Sequence, residues 1–273
     1  EVMELNCFAI KIKEYEKSLD SVYKKENGIF YTDIDLSEKI IKFLNIPITA
    51  TVMDPCCGTG SFLISAKHLG YSFVYGADID KGAVSTFKKF NKVENVKVID
   101  TLANTGQQTL KQFNLKEPID FVIGNPPYSP ITKDIVIDTK DYLFLRNVKD
   151  SGSNLFVAAL YRAFELAKTE GTISYIIPKN FLHVASYSVL RRMVLNQKQV
   201  VSIVDIGRYF KNVRGEQIVI TLKNRFAQNN SIEMYKYENK EFVKKLEVPQ
   251  KFFKDEILIF ENEKDFKIYK TLE

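Results

Sequence analysis

At 273 residues, with 45% hydrophobic and 27% charged side chains, the chain has the length of one large α/β domain with an appendage and the composition of a protein with a sizeable core. No apolar run approaches bilayer-spanning length and no signal-peptide core opens the chain, so membrane functions are not expected. Cys7, Cys56 and Cys57 make no disulfide framework, which points to a reducing cytoplasm, and His68 and His183 stand alone, so no metal is expected.

The net charge of +5 is modest, but its distribution is not even. Arg191, Arg192, Lys198, Arg208, Lys211, Arg214 and Lys223 face only Asp205 and Glu216 between positions 180 and 223. Such a segment is a solvated face or the footprint of a polyanion. The chain begins at Glu1 and stops without an obvious terminus, so both ends read as cut.

In chain order, residues 1–26 read as a charge-rich amphipathic helix and 28–33 as a loop. A helix is expected over Leu36 to Leu44, starting at Ser37 and Glu38. The strand Thr51–Asp54 runs into Pro55-Cys56-Cys57-Gly58-Thr59-Gly60, followed by a helix over Ser61–Leu69 that stops at Gly70. A strand over Phe73–Asp80, a helix to about Phe90 and a strand over Val96–Ile99, ending at Asp100, come next. Pro118 leads into a strand over Asp120–Gly124. Residues 129–153 carry no convincing element, a length usual for a functional lid or a disordered segment. A helix over Asn154–Lys168, a turn at Gly171 and a strand over Thr172–Ile177 follow. Further on are a helix at Tyr187–Asn196 and strands at Val200–Ile206 and Gln217–Leu222, the last two an antiparallel edge pair. Ile232–Tyr237 and Phe242–Val248 form a hairpin around Asn239-Lys240.

Strands alternating with helices imply βαβ units and a parallel sheet with its strand C-termini on one edge, where open α/β sheets bind ligands. Asp54, Asp78, Asp100 and Asn125 all fall at those ends. Gly58 and Gly60 let backbone approach a ligand at a helix N-terminus but lack the third glycine of the dinucleotide fingerprint. Asp78 is placed to accept both hydroxyls of a ribose and Asp100 to accept from an adenine amino group; helix capping is the plainer role for each.

The sequence Asp120-Phe121-Val122-Ile123-Gly124-Asn125-Pro126-Pro127-Tyr128 is the centre of the pattern. Each proline fixes its own φ and keeps the preceding residue extended. The corner therefore presents the Asn125 amide oxygen, the Pro126 carbonyl and the Tyr128 ring on a stiff frame. Two acceptors and a flat surface suit an NH2 group on a planar ring.

The order Phe30-Tyr31-Thr32, Asp54 to Phe62, Asp78-Ile79-Asp80, Asp100 and Asn125-Pro126-Pro127-Tyr128 resembles the gamma class of S-adenosylmethionine-dependent DNA adenine-N6 methyltransferases of restriction-modification systems. The resemblance covers residues 28–223 and implies a doubly wound, mostly parallel seven-stranded sheet of the Rossmann-like class I methyltransferase type, with one antiparallel edge strand. It implies that Tyr31, Thr32, Asp54, Gly58 and Gly60 surround the methionine end of the cofactor. By the same resemblance Asp78 binds its ribose, Ile79 packs on its adenine, Asp100 holds that adenine's amino group, and Asn125 borders the cofactor as well as the target. Asn125, Pro126 and Tyr128 would be catalytic, with Tyr128 and Phe210 stacking on a flipped adenine and Arg208, Lys211 and Arg214 on double-stranded DNA. Expected domains are a helical segment 1–27, a catalytic domain 28–223 and a hairpin extension 224–273 that opens a target-recognition domain. A restriction or specificity subunit is the expected partner. A protein-glutamine methyltransferase shares the Asn-Pro-Pro-Tyr site, because a glutamine amide is also a planar NH2. The same residues would equally suit methylation of adenine in RNA, and a scaffold subunit without catalytic activity would keep the fold alone.

Overall fold

The structure, a computed structural model, describes residues 2–19, 31–91, 94–132, 134–137, 154–210, 213–227 and 229–272. The chain divides into two compact units, 1–173 and 174–273. In the first, α1 (Val2–Ser18) and α2 (Ile34–Leu44) precede β1 (Thr51–Asp54), α3 (Ser61–His68), β2 (Phe73–Asp78), α4 (Lys81–Phe90) and β3 (Val96–Val98). Then come α5 (Gly106–Gln112), β4 (Ile119–Gly124), α6 (Leu155–Leu166) and the start of β5 (Ala167–Pro178). The strand order β3-β2-β1-β4 is parallel throughout, with Asp54 opposite Gly76 and Val52 opposite Phe121.

This order follows from the apolar strands. Val52, Met53, Phe121, Val122 and Ile123 are wholly buried, as central parallel strands covered on both faces require. The helices that return the chain are each started by a local device. Asp33 caps α2 by accepting from Leu36 N at 2.8 Å, so the expected start at Ser37 and Glu38 is displaced. Ser37 is instead buried and bonds Ser65 Oγ at 2.6 Å, joining α2 to α3. Asp80 caps α4 through Gly82 N and Ala83 N. The sequence carries no periodic signal for α5, which starts at a capping box of Thr105 and Gln108. Helix α6 ends two residues earlier than expected, because Ala167 and Lys168 already belong to β5. Helix α1 packs through buried Phe8 and Ile12, with the Phe8 ring edge-on to Phe87 at 6.0 Å.

The second unit takes the end of β5, then α7 (Ser188–Gln197), β6 (Gln199–Gly207), β7 (Gln217–Lys223), β8 (Ser231–Glu238), β9 (Glu241–Pro249) and α8 (Glu263–Leu272). Its strand order is β5-β7-β6-β8-β9. Strands β6 and β7 are antiparallel as expected, but they do not end the sheet. The hairpin adds to it, β8 running parallel to β6 and β9 antiparallel to β8, so the described residues contain nine strands rather than seven. Asn239 and Lys240 turn that hairpin at φ +51° and +63°, the paired left-handed geometry that matches strand twist. The basic excess is also partly internal to this unit. Arg191 is buried, donating to Phe181 O, Val184 O and the Asp255 carboxylate, so it is no part of a polyanion footprint. Lys198, which donates to Asn224 Oδ1, is held below the usual lysine range by burial.

Candidate active site

All four strand ends of the first unit open on one cavity of about 500 Å³. Asp54, Gly58, Asp78 and Ile79 line it from the ends of β1 and β2, Asp100 from beyond β3 and Asn125 from beyond β4. Tyr31 and Thr32, just ahead of α2, complete that side, and Leu155 enters from the first turn of α6. Gly60, Pro126 and Tyr128 do not line it. Gly60 is the N-cap of α3, Pro126 is buried, and Tyr128 stands half-buried behind Asn125. Phe30 and Lys211 lie outside the described residues.

The turn between β1 and α3 is shaped by its glycines. Gly58 has φ +52°, and a Cβ there would meet Tyr31 Cε1 at 2.8 Å; Gly60 has φ +85°, and a Cβ would meet the Phe87 ring at 2.2 Å. Both positions demand glycine twice over, by backbone and by space. The turn is held by Asp78, whose Oδ2 accepts from Gly58 N at 2.6 Å and whose Oδ1 accepts from Asp80 N at 2.9 Å. Asp78 therefore does not cap α4; that task falls to Asp80, which also accepts from Tyr15 of α1 at 3.1 Å. Asp100 does serve its own backbone, accepting from Leu102 N and Ala103 N at 3.0 Å each.

Burial dominates the acid chemistry here. It pushes the Asp54 carboxyl well above the usual carboxylate range, with nearby Asp78 adding to the shift and the Cys56 N–H opposing it. Burial likewise raises Asp78, against the backbone N–H groups of Asp80, Gly58 and Ile79. The Tyr31 phenol is raised chiefly by burial, then by Tyr15, Asp80 and Asp78. Burial also pushes the Cys56 and Cys57 thiols up, which keeps both protonated and poor as nucleophiles.

Around Asn125 the bonded groups are neutral, while Asp134, further along the same segment, also lines the cavity. Asn125 Nδ2 donates to the buried Thr32 hydroxyl at 3.2 Å, and Asn125 Oδ1 accepts from the Tyr128 hydroxyl at 2.7 Å. Tyr128 packs edge-on against Phe156 at 6.4 Å, and the Asn154 side-chain amide donates to its carbonyl. Gly124 leaves room for Asp54, since a Cβ there would come within 2.6 Å of the Asp54 carboxylate. The acid of β1 and the amide after β4 are thus fitted to one another.

Of the residues of the second unit singled out by sequence, the aromatic ones are in contact with one another. Phe210 is half-buried and edge-on to Tyr209 at 5.3 Å, its N–H directed to Gln217 Oε1 at 3.4 Å. Tyr209 in turn meets Tyr237 of β8 at 5.8 Å. Arg214, in the loop before β7, is exposed, as is Arg208, just after β6.

Parallel strands whose ends, glycine turn and diproline corner meet at one cavity define the class I S-adenosylmethionine-dependent methyltransferase fold. A protein of Listeria monocytogenes described as a class I S-adenosylmethionine-dependent methyltransferase shares it with a TM-score of 0.55 at 16% identity, over 73% of this chain and 62% of that one. The type I restriction-modification methyltransferase subunit of Streptococcus thermophilus matches with a TM-score of 0.62 at 18% identity, over 90% and 54% of the two chains. In sequence, the type II methyltransferase M.VspI of Vibrio sp. (strain 343) is 29% identical over 203 residues, which are 73% of this chain and 48% of that protein. The model of the N-6 DNA methylase family matches residues 13–269, and the chain belongs to that family. It spans about half the length of the curated relatives it matches.

The cavity fits the cofactor of that fold class. Acidic acceptors for hydroxyl and ammonium groups sit at its strand ends, and Ile79 presents an apolar side chain that is 65% exposed, as a flat ring needs. Thr59, beside Gly58, holds a buried hydroxyl without a hydrogen-bond partner, and no local pattern in the chain singles it out. Among the described residues no helix is long and apolar enough to cross a membrane.

Proposed function

We propose that this chain is the catalytic part of a DNA adenine-N6 methyltransferase of a restriction-modification system, working in the cytoplasm with a restriction or specificity subunit. The observation that carries the proposal is the Asn125 amide, held between Thr32 and Tyr128 on the wall of the same cavity as the strand-end acids. In this scheme Asp54, Gly58, Thr32 and Tyr31 hold the methionine end of S-adenosylmethionine, Asp78 its ribose, and Ile79 and Asp100 its adenine. The bound cofactor supplies an electrophilic methyl group.

The amino nitrogen of adenine is a poor nucleophile because its lone pair is delocalised into the ring. Asn125 Oδ1 and the Pro126 carbonyl would accept its two N–H bonds, which favours a pyramidal nitrogen with its lone pair free. An amide oxygen has two lone pairs, so Asn125 can serve the base while keeping Tyr128. Positive charge then grows on nitrogen beside two fixed acceptors, catalysis is positioning plus electrostatics rather than prior removal of a proton by a base, and the methylated nitrogen gives up one proton to water after the transfer. Tyr128 is proposed to stack on the base, as is Phe210 of the second unit, with Arg208, Lys211 and Arg214 on phosphates. Residues from 224 onward would open the recognition part of the whole protein.

The test is methyl transfer from labelled S-adenosylmethionine to duplex DNA lacking adenine methylation, to RNA and to a glutamine-bearing release factor, followed by digestion. N6-methyladenine in the DNA digest is the expected product. Label confined to RNA, to glutamine or to cytosine would overturn the assignment.

A further inference from the structure

The corner after β4 has an unusual shortage of backbone donors. Pro126, Pro127 and Pro130 carry no N–H, so three of the six residues from 125 to 130 cannot hold the loop by donating. Its carbonyls must be held from elsewhere. The first turn of α6 does this, at the point where a helix has unpaired N–H groups to give.

Leu155 N donates to Ser129 O at 2.8 Å, and Pro130 and Asn154 form an antiparallel bridge. Asn154 adds a link through its side chain. Its Oδ1 accepts from Phe156 N at 3.3 Å, which is the helix cap, while its Nδ2 donates to the Tyr128 carbonyl. One amide thus both starts α6 and grips the residue whose hydroxyl bonds Asn125. The two residues after Asn154 reinforce the arrangement, since Phe156 packs on the Tyr128 ring and Leu155 lines the cavity.

We propose that Asn154 is a positioning residue for methyl transfer: its side-chain amide fixes the Tyr128 carbonyl and so sets the attitude of the Tyr128 ring and of the Asn125 amide. The inference rests on the methyltransferase reading given above. It does not make Asn154 a group that touches substrate. It assigns to the donor half of the amide a role that capping does not need, because a cap uses only the acceptor half.

That division supplies the test. Asn154→Asp keeps the acceptor for Phe156 N, and Asp is as good an N-cap as Asn, but an ionised carboxylate has no hydrogen for the Tyr128 carbonyl. The variant should keep the thermal midpoint and the cofactor affinity of the wild type and lose kcat by ~10-fold or more, as a slight misplacement of reacting groups does. Asn154→Ser is the second variant, a capping side chain too short to do both tasks, and should show the same split between kcat and cofactor KM. Asn154→Ala should lose stability as well. Wild-type kcat in both capped variants, or a loss of kcat that only follows lost folding or lost cofactor affinity, would overturn the proposal. The wild-type control separates the two readings: no N6-methyladenine from the wild type defeats the proposed function, whereas an active wild type with equally active variants defeats only the role of Asn154.

Discussion

The two sides of the cavity are built from opposite chemistry. At the ends of β1 and β2, Asp54 and Asp78 are carboxyl groups whose proton affinity is raised by burial, steadied by backbone N–H groups of a glycine turn. Beyond β4, Asn125 is bonded to hydroxyls, those of Thr32 ahead of α2 and of Tyr128 behind it, Asn154 holds the Tyr128 carbonyl, and the phenol of Tyr128 is pushed further from titration by burial. Hydroxyl and ammonium groups of a cofactor call for charged acceptors. An aromatic amine that must become more nucleophilic calls for neutral acceptors that do not themselves take its proton. The division teaches that sensitivity to pH should belong to binding, and insensitivity to transfer.

The largest effect that would break this division is on the neutral side. Asn125→Ala removes the acceptor amide while leaving the glycine turn and the acids in place. The expected result is a fall in kcat on the order of 10³-fold, the upper range for losing one preorganised hydrogen-bonding group, with a far smaller loss of cofactor affinity. Single-turnover methylation beside a calorimetric titration of cofactor would show the split; equal losses in both would mean that the two sides are not separable.

On the acidic side the sharpest probe is backbone geometry. Gly60→Ala combines a positive φ with a methyl driven into the wholly buried Phe87 ring. The left-handed residue and the overpacking together should cost about 3 kcal/mol, seen in chemical denaturation, and cofactor binding should weaken with it. Phe210→Ala is the next smaller probe. If Phe210 stacks on the flipped base, its loss should weaken productive DNA binding by ~1–3 kcal/mol and leave cofactor affinity alone. A collapse in cofactor affinity would instead make it a packing residue of the second unit.

What could be read from the amino acids divides along a similar line. The ends of β1 and β4 were legible because buried central strands are continuous apolar runs that stop at a polar residue, and the less buried β2 and β3 were legible from the acids that follow them in the same alternating order. The hairpin at Asn239-Lys240 was legible from alternation on both sides of its turn. Helix α5 was not, since seven residues are too few to show a period, although Thr105 and Gln108 carried its capping box. The start of β5 at Ala167 was hidden because Ala and Lys suit a helix end as well as a strand. Among the site residues, those at strand ends are placed by local pattern alone and line the cavity. Asn154 was legible as a helix start, but its grip on Tyr128 spans 26 residues of sequence and depends on tertiary packing that no local signal reports. The same holds for Arg191, whose charge looked outward in sequence and is spent on Asp255 inside.

The smallest effect is the most specific to the comparison. Asp54 is buried, and its pKa lies above that of an unfolded aspartate, so the folded state holds this proton more tightly than the unfolded state. The stability it contributes is complete at low pH, below the unfolded value, and is lost as pH rises through the raised folded value. Ionising this buried carboxyl, above its raised folded value, therefore costs stability. Asp54→Asn keeps the shape, the acceptor for Cys56 N and the fit beside Gly124, and removes that cost. The cofactor-free variant should gain in thermal midpoint over the wild type as pH rises, by about 2–4 °C for each kcal/mol recovered, and the gain should shrink as pH falls and the wild-type acid takes up its proton. Cofactor affinity should drop in the same variant. A thermal midpoint unchanged across pH would mean that Asp54 is not held against its charge. A gain in stability with full affinity would mean that the charge serves no ligand, and the acidic side of the cavity would lose its reason to be acidic.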